Sequence, residues 1–592
     1  MKRPKQTGAH PDGKKLFTIS SLVSGVAVAG SAILCPHAAW LAIPWLLYTG
    51  VGVHDITQKR HTILRNFPVI GHFRYVAEML RDPFRQYFGD GDADRPFTRD
   101  QRSGVYAAAK GDKQTRPFGT QLDVYKPGYI WINHSLSAKT PAKKEPRLKV
   151  GGPQCKQPYA ISRFNVSGMS YGALSKNAVL ALNKGAKLGG FYQSTGEGGL
   201  SPFHFAQDID IEAPNFDFDQ FFVQNKDKIA AEGGDLVWQI GTGYFGCRTA
   251  EGNFDPQLFA ERAKLPTVKM IEVKLSQGAK PGHGGILPKE KLTRGIAKLR
   301  RVPHGQDVHS PPTHKTFDTP RGLLQFVQQL RELSGGKPVG FKLCVGNRYE
   351  FLGICKAMLE TGIYPDFITV DGGEGGTGAA PRLFTDHIGT PLDDGLVFVH
   401  NALKGIGLRD KIRVIASGKV TNGFDILTKL ALGADSVNAA RAMMFALGCI
   451  QALQCDTNNC PTGVATQKPS LVKGLDVNDK FVRVANYQKA TIRDMLEIIG
   501  AAGLDSPSQI RARMLHIRDR QGNDRTLDTV YPNIPAGSLL KPATVPEDLK
   551  KDWEIATADA FVPPGVVPEK RKMVSLTVLK DGKPQEEDVE DW

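Results

Sequence analysis

The chain has 592 residues, of which 41% are hydrophobic and 23% are charged, and its formal net charge at pH 7 is +16. This length supports one large buried core with appendages, and the composition is that of a globular protein. Lysine and arginine are scattered from end to end instead of forming one patch interleaved with aromatic residues, so no nucleic-acid partner is expected; anionic substrates, a phosphate cofactor and a positive membrane flank explain the charge better.

The segment 16–54 contains no Asp, Glu, Lys or Arg. It is about twice the ~20 residues that one transmembrane helix needs, and Pro36 divides it because proline disfavours helical geometry in the residue before it. The sequence therefore predicts an N-terminal transmembrane helical hairpin with helices at about 16–34 and 38–54. A signal peptide is the alternative.

The charges around this segment predict its orientation. Its connector is uncharged, and positive residues lie at both outer ends, namely Lys2, Arg3, Lys5, Lys14 and Lys15 before it and Lys59, Arg60 and Arg65 after it. Positive flanks mark the cytoplasmic side, so we expect a membrane protein whose catalytic domain is in the cytoplasm. In that reducing compartment the eight cysteines are not expected to form disulfides.

The remainder of the chain divides into regions with different residue patterns. Residues 61–88 have the pattern of an amphipathic linker helix, and glycine and proline punctuate the chain from there to about residue 155. The predicted domains are the hairpin at 1–57, a linker helix and extension at 58–155, a barrel at 156–470, and a small C-terminal extension at 471–592 that ends in the acidic tail 585–592.

Short runs rich in β-branched residues alternate with helical patterns from Tyr159 onwards. The eight candidate strands are 159–166, 191–195, 236–240, 268–275, 339–344, 366–371, 413–417 and 435–440. Strands that alternate with helices predict a parallel sheet, and eight such units fit an α/β fold of the (β/α)8 TIM-barrel type. A doubly wound sheet is the alternative.

The loops that follow these strands are rich in glycine, and functional groups gather at this end of a TIM barrel. One loop, GTGYFG at 241–246, matches the dinucleotide pattern G-x-G-x-x-G. That pattern needs a following helix and an acid about twenty residues further on, and neither follows here. We interpret it as a flexible turn rather than a nicotinamide site.

The loops after the seventh and eighth strands are where this fold usually binds phosphate. Backbone N–H groups at a glycine turn and a helix N-terminus suit a phosphate, and a Lys or Arg can add charge-assisted bonds. Glycines in DGGEGGTG would let a planar ring approach the backbone. Ordinary turn glycines are the alternative to a flat phosphorylated cofactor such as FMN. The candidate cofactor residues are Gly375, Gly376, Ser417, Gly418, Lys419, Ala440 and Arg441.

Three cysteines lie close together in the segment 449–467, with the spacing C-x5-C-x4-C and a proline after the third. These are Cys449, Cys455 and Cys460. Spacing alone leaves three possibilities open: a buried apolar turn, redox-active thiols, or ligands of a metal cluster.

Several motifs, in order, resemble the FMN-binding synthase domain of glutamate synthase: GMSYGALS, STGEGG, SQGAKPGHGGILP, SPPTH, GGTGAAP, LGCIQALQC and NNCPTGVATQ. More closely, the chain resembles the membrane-anchored, stand-alone members of the FMN-binding glutamate synthase family, over about residues 150–470. The resemblance implies a TIM barrel with FMN and a [3Fe-4S] cluster held by Cys449, Cys455 and Cys460. Such a cluster needs one thiolate for each of its three irons.

The resemblance also assigns residues around 2-oxoglutarate. It implies Ser170, Gln277, Lys280 and Arg300 as substrate-binding residues, Glu197 and Lys280 as catalytic residues, and Lys342 as a cation beside the flavin. These types suit the chemistry, because a dicarboxylate needs fixed cations and an imine made from a 2-oxo acid and ammonia must be protonated before it accepts a hydride.

The chain departs from the family pattern at His283 and Ile286, where glutamate synthases usually carry an acid and a glutamine, so the pocket lining is expected to differ. We see no glutaminase or nicotinamide-binding domain. Ammonium and electrons are therefore expected from outside, the electrons from a ferredoxin-like or membrane carrier. The predicted function is an oxidoreductase acting on CH–NH2 donors in glutamate biosynthesis, which reductively aminates 2-oxoglutarate or a related 2-oxo acid to L-glutamate. The alternatives are an amino-acid or amine oxidase that feeds electrons to the membrane, and a non-catalytic flavin or cluster sensor.

Overall fold

The structure is a computed structural model that describes residues 12–84, 96–566, 573–580 and 583–590. The chain forms two compact units, residues 1–99 and residues 100–592, and each is described by itself.

The first unit begins with an apolar helix, Gly13–Leu34, whose first turn is capped by Asp12. It ends in front of Pro36, as the sequence predicts, and a 3-10 helix, Pro36–Leu41, leads into the helix Ala42–Thr57. Within the described residues only Gly13–Leu34 is long and apolar enough to cross a membrane. The second helix has 16 residues, fewer than the ~20 of a full span. The transmembrane hairpin therefore stays a prediction.

The predicted linker helix at 61–88 differs in the structure. Its described part forms two helices, Thr62–Asn66 and His72–Phe84, and residues 85–88 lie outside the described residues. Pro68 stands between the two helices. Proline has no N–H and disfavours helical geometry in the residue before it, so the first helix stops there.

The second unit contains a closed barrel of eight parallel strands, which confirms the predicted TIM barrel and excludes the doubly wound sheet. In chain order the strands are β1 Phe164–Val166, β2 Gln193–Ser194, β3 Leu236–Ile240, β4 Val268–Lys274, β5 Val339–Leu343, β6 Phe367–Asp371, β7 Arg413–Ser417 and β8 Ser436–Ala439. β8 pairs with β1, which closes the barrel. Each of the eight predicted strands contains one of them.

Helices follow the barrel strands in the chain. Those between strands are Lys176–Gly189, Phe218–Gln224, Lys226–Glu232, Pro256–Ala263, Arg294–Arg300, Pro320–Leu333, Arg348–Thr361, Arg382–His387, Leu392–Gly405 and Gly423–Ala431, and Arg441–Ala446 follows β8. A later helix, Val477–Ala501, packs against both Lys176–Gly189 and Gly423–Ala431. Gly185 allows this approach, since a Cβ there would lie 2.8 Å from the carbonyl oxygen of Phe481.

Small sheets and short helices complete the second unit. The paired strands outside the barrel are Ile130–Ile132 with Leu515–Arg518 and Asp524–Thr526, Leu148–Val150 with Tyr159–Ile161, Ile286–Leu287 with Val308–His309, and Met573–Lys580 with Lys583–Glu590. The remaining helices are Arg99–Lys110, Pro202–Phe205, Lys289–Lys291, Pro469–Val472, Pro507–Gln509, Ala512–Met514, Leu527–Val530, Pro542–Thr544 and Glu547–Ile555.

A cluster of buried side chains fills the amino-terminal end of the barrel. The strand pair Leu148–Val150 and Tyr159–Ile161 contributes to it, together with residues near the starts of the barrel strands, such as Val237, Phe367 and Ile415. Apolar burial of this kind stabilises a fold by about 25 cal/mol per Å². Because this end is packed with apolar side chains, polar groups of the barrel can gather at the carboxyl ends of the strands.

Candidate active site

A charged network joins the loop after β2 to the end of β4. The ammonium of Lys274, the last residue of β4, donates to Glu197 Oε1 at 2.7 Å and to Gln277 Oε1 at 3.0 Å. Burial opposes the charge on Glu197, but the ammonium of Lys274, assisted by Lys280 and Arg300, outweighs it and holds the pKa of Glu197 below its usual value. The carboxylate is therefore ionised at neutral pH.

The sequence analysis missed Lys274, although a lysine at the end of a buried strand is a detectable signal. Its partners Glu197 and Gln277 were both predicted site residues, and only the fold reveals what joins them. A charged residue at the carboxyl end of a barrel strand is placed to take part in chemistry.

Lys280 is nearly inaccessible to solvent, with 2% of its surface exposed. Burial lowers the pKa of its ammonium to about 8, although the nearby carboxylate of Glu197 opposes the shift. Among the described residues its ammonium has no hydrogen-bond partner. A buried cation in this condition is costly to the fold and well suited to bind an anion.

Arg300 lies beside the same network and is also buried. Its Nη2 donates to the carbonyl of Tyr171 at 3.0 Å, and its guanidinium lies over the ring of Phe245, 5.0 Å from the centroid. Burial lowers the pKa of Arg300 to about 10, and its Nε has no hydrogen-bond partner in the described chain. This arginine therefore keeps one donor for a ligand.

Ser170 and Arg300 approach one another across Gly198. A Cβ on Gly198 would lie 2.7 Å from Ser170 Cβ and 3.0 Å from Arg300 Nη2, so only glycine fits between them. The fold thus brings the five predicted catalytic and substrate-binding residues to one end of the barrel.

Lys342, near the end of β5, is the predicted cation beside the flavin. It is in register with Lys274 on β4 and forms a buried ion pair with Asp371 at 3.2 Å. Burial disfavours its charge, but Asp371 and other carboxylates outweigh that penalty and raise the pKa of Lys342. The backbone N–H of Gly278 also donates to Asp371, at 3.0 Å, which ties the β4 loop to the end of β6.

The glycine-rich loop after β6 contacts a predicted substrate-binding residue, Gln277, and a predicted phosphate-binding residue, Arg441. Gln277 Nε2 donates to the carbonyl of Gly376 at 3.0 Å, and Arg441 Nη2 donates to the carbonyl of Glu374 at 3.0 Å. A Cβ on Gly376 would lie 2.8 Å from the side chain of Arg441. Gly375 lies in the turn of this loop, where its N–H donates to the carbonyl of Gly372 at 2.8 Å.

The predicted phosphate-binding residues follow β7 and β8. The hydroxyl of Ser417 lies 3.1 Å from that of Ser167, which follows β1, and Gly418 passes so close to Leu392 that a Cβ would clash with it. Lys419 continues the same loop, and Ala440 precedes the helix Arg441–Ala446. Hydroxyls, backbone N–H groups and a guanidinium are the donors that a phosphate monoester needs, so these residues fit one.

The three predicted cluster ligands lie in one loop beyond β8. They are free thiols, and the other five cysteines of the chain are free thiols as well. Burial raises the pKa of Cys449 to about 12 and also raises that of Cys455. Cys460 differs: the hydroxyl and N–H of Thr462 and two further backbone N–H groups outweigh burial and lower its pKa. Within the described residues no three His, Cys, Asp or Glu side chains are arranged as a metal site, so the cluster stays a prediction.

A buried lysine that the sequence analysis missed ties the cysteine loop to the barrel. Lys291, in the short helix Lys289–Lys291, donates to the carbonyls of Cys455 and Ala465, each at 3.1 Å, and also to the carbonyl of Ala173 after β1. A Cβ on Gly378, in the β6 loop, would lie 3.9 Å from the carbonyl oxygen of Cys455. The cysteines therefore lie beside the loops that form the site.

The family profile "Conserved region in glutamate synthase" matches residues 136–505. The chain belongs to the glutamate synthase family. The glutamate synthase large subunit-like protein YerD of Bacillus subtilis is 35% identical over 531 residues, which cover 83% of this chain and 96% of YerD. The archaeal glutamate synthase (NADPH) of Methanocaldococcus jannaschii is 34% identical over 394 residues, which cover 66% and 67% of the two chains.

A third relative is much longer than this chain. The ferredoxin-dependent glutamate synthase 2 of Synechocystis is 33% identical over 358 residues, which cover 58% of this chain and 21% of that protein. Membership of the family makes this glutamate synthase homologue an oxidoreductase, and the family implies flavin and iron–sulfur cofactors and an electron carrier. The predicted resemblance to the glutamate synthase family is confirmed, and the likeness to its membrane-anchored members stays a prediction.

Proposed function

We propose that this glutamate synthase homologue reductively aminates 2-oxoglutarate, or a closely related dicarboxylic 2-oxo acid, to the L-amino acid. The observation that carries the proposal is an excess of buried positive charge at the barrel mouth. Lys274 forms an ion pair with Glu197 at 2.7 Å, and Lys280 and Arg300 also lie close enough to lower the pKa of that carboxylate. A dicarboxylate would supply the negative charges that balance them, and the free donor of Arg300 suits a carboxylate oxygen.

Two groups of the same network can manage the protons of the reaction. The imine that forms from a 2-oxo acid and ammonia accepts a hydride at carbon 2 only after its nitrogen is protonated. Lys280, with a pKa of about 8, is close enough to neutrality to donate a proton and regain it. Glu197 stays ionised and stabilises the cationic imine. Lys274 holds Glu197 in place through its hydrogen bond.

The flavin that the family implies is proposed to be FMN. The residues that would hold it are Lys342, Gly375, Gly376, Ser417, Gly418, Lys419, Ala440 and Arg441. When bound, FMN supplies the hydride that reduces carbon 2. The buried ammonium of Lys342 would place a positive charge beside the ring, and Arg441 would contribute to phosphate binding.

The iron–sulfur group is proposed to be a [3Fe-4S] cluster held by Cys449, Cys455 and Cys460. When bound, it supplies single electrons from an external carrier. Three free thiols on one loop match the number of irons, and the N–H groups around Cys460 favour its thiolate form. A ferredoxin-like protein or a membrane carrier is the proposed donor, and one relative is named as ferredoxin-dependent.

The N-terminal unit is proposed to tether the enzyme to a membrane, with the catalytic domain in the cytoplasm. The apolar helix Gly13–Leu34 and the positive flanks of the segment 16–54 support this. A protein that lacks residues 1–55 should be soluble and yellow. A reporter fused after Trp592 that proved periplasmic would contradict the proposed orientation.

The function is tested with the anaerobically purified full chain in detergent. Its visible spectrum should show a bound flavin, and after reduction by a dye the flavin should be reoxidised by 2-oxoglutarate with ammonium. Pyruvate, which has one carboxylate, should act far more weakly. The Lys280→Ala protein is the matched control, because it should keep the flavin yet respond poorly to 2-oxoglutarate. Flavin bleaching by amines, without any response to 2-oxo acids and ammonium, would contradict the proposal.

A further inference from the structure

A cavity lies at the amino-terminal end of the barrel, opposite the candidate active site. Its volume is about 1020 Å³. Its walls come from the starts of β1, β7 and β8 and from two segments of the C-terminal extension, 507–513 and 528–536. These segments are far apart in sequence, so the cavity exists only in the folded chain. Nothing in the proposed reaction uses it.

Positive charge dominates the walls of this cavity. Three carboxylates, Asp410, Asp435 and Asp528, are outnumbered by six cationic side chains, which are Arg163, Lys404, Arg409, Arg413, Arg511 and Arg513. The imbalance is larger than an internal salt-bridge network requires. Such a surplus lowers the energy of any anion that enters.

Part of this cationic set has a structural role. Arg409 forms an ion pair with Asp435 at 2.9 Å and donates to the carbonyl of Ile412, Arg413 donates to the carbonyl of Lys149, and Arg511 donates to the carbonyl of Ser508. These contacts satisfy carbonyl groups near chain ends and turns. They explain these three cations as parts of the scaffold, and Arg163 also contributes through one of its donors, because its Nη1 donates to the carbonyl of Asp435.

The other three cations keep donors that the protein does not use. Lys404 and Arg513 have no hydrogen-bond or ion-pair partner for their side chains within the described part of the chain. Arg163 is buried, and its Nε has no partner there either. Arg163 is buried and Lys404 is half-buried, so their unused donors are costly and an anionic ligand would remove that cost, whereas Arg513 lines the cavity as an exposed cation.

His400, which lines the cavity, lies in the positive potential of its walls. Burial, together with the charges of Arg409 and Lys404, lowers the pKa of His400 to about 4. His400 is therefore neutral at pH 7 and can accept a hydrogen bond from Arg409. The wall also has an apolar part, formed by Leu148, Leu430 and Ile510.

We propose that this cavity binds a phosphate-bearing small molecule of nucleotide size. Guanidinium groups match phosphate oxygens in a two-pronged geometry, and Arg513 and Arg163 have donors to offer. The volume is at the upper end of the range of small-molecule sites, about 300–1,000 Å³, and so exceeds what inorganic phosphate needs. The apolar wall suits the flat base of a nucleotide.

The test is calorimetric titration of the full-length protein, loaded with FMN, with ADP, pyrophosphate and adenosine. ADP and pyrophosphate should bind saturably with one site per chain, more weakly at high salt, and adenosine should not bind. The double variant Lys404→Glu/Arg513→Glu should lose about a hundredfold or more in ADP affinity. The matched control Arg520→Glu/Lys541→Glu changes the net charge equally outside the cavity and should bind ADP like the wild type.

Several outcomes would overturn this assignment. Absence of saturable ADP or pyrophosphate binding at millimolar concentration would do so, as would an equal loss in the control variant. Anionic lipid vesicles that displace ADP and need Lys404 and Arg513 would assign the site to a membrane headgroup instead. If the charge-reversed protein does not fold, Lys404→Gln/Arg513→Gln replaces it. ADP should also raise the melting temperature of the wild type, and an unchanged value at saturating ADP would count against the site.

Discussion

Two buried pairs of a basic residue and an aspartate lie at opposite ends of the barrel and differ in kind. Arg331, on the helix Pro320–Leu333, pairs with Asp366, which precedes β6, whereas Lys342 of β5 pairs with Asp371 of β6. At the amino-terminal end, Arg331 binds Asp366 with N–O distances of 3.2 Å, and at the carboxyl end Lys342 binds Asp371, also at 3.2 Å. All four side chains are at most 8% exposed. Distance and burial alone therefore do not separate a structural pair from a functional one.

The hydrogen bonds around the two pairs do separate them. Asp366 accepts from both Nε and Nη2 of Arg331 and from the N–H groups of Gly152 and Val339, while Arg331 also donates to the carbonyl of Tyr364. Lys342, by contrast, has only Asp371 as a bonded partner among the described residues. An ion pair whose donors and acceptors all have hydrogen-bond partners within the protein stabilises the fold. An ion pair with an unused donor can still bind a ligand.

The largest loss of activity is expected when a cysteine is replaced in the loop at the carboxyl end of the barrel. In the Cys455→Ser protein one iron would have no thiolate, so the [3Fe-4S] cluster and nearly all of the iron should be lost, together with turnover driven by a protein donor. FMN should remain, because its proposed contacts come from other loops. Paramagnetic resonance and iron analysis measure this. Cys35→Ser, which removes an exposed thiol, is the control. A fully active Cys455→Ser enzyme would mean that this loop is a buried turn and holds no cluster.

The next largest effect is a loss of stability when the two ion pairs are broken one at a time. Arg331→Met leaves Asp366 charged, buried and short of donors, so the free energy of unfolding should fall by about 3–5 kcal/mol, measured by urea denaturation. Lys342→Met removes a single bonded contact and should cost less stability but weaken FMN binding, measured by flavin release. Equal losses of stability with unchanged flavin affinity would show that both pairs are structural.

A smaller effect is expected from the substrate cations. Lys280→Ala and Arg300→Ala each remove a charge-assisted contact worth about 1.5–3 kcal/mol, so the affinity for 2-oxoglutarate should fall by roughly ten- to a hundredfold without release of FMN. Titration of the flavin spectrum measures it. Lys298→Ala, an exposed lysine on the same helix as Arg300, should have no effect. Unchanged affinity in both variants would remove the dicarboxylate from the proposal.

The smallest effect is a pH dependence at the same site. The pKa of Lys280 is lowered to about 8, so its ammonium is charged below that pH and neutral above it. Affinity for 2-oxoglutarate should therefore be nearly constant from pH 6 to 7 and fall above pH 8, by less in total than the loss caused by Lys280→Ala. Lys280→Arg should bind without this decline, since arginine stays protonated. A wild-type affinity that is flat to pH 10 would contradict the role of this ammonium.

The eight barrel strands were predictable because the evidence for them is local. Each is a short apolar run bounded by glycine-rich turns, and the repeated alternation with helices leaves few folds that can accommodate it. Four of the five predicted substrate and catalytic residues stand in motifs that follow strands, and the family resemblance supplied the fifth, Arg300, which lies in a helix. The fold brings all five to one end of the barrel, and their roles stay predictions. The predicted linker helix at 61–88 is interrupted in the structure, because Pro68 ends its first part and a second helix begins at His72.

Other features depend on tertiary structure because their parts are remote in sequence. Lys274 becomes a site residue only when β4 closes beside the β2 loop and brings Glu197 within hydrogen-bond distance. Lys291 is an unremarkable lysine in the sequence, yet in the fold it binds carbonyls more than a hundred residues away. The cavity at the amino-terminal end joins Arg163, Lys404 and Arg513. The sequence determined which segments could be strands; barrel closure decided which charges meet, because burial and distance, not composition, set their pKa and their free donors.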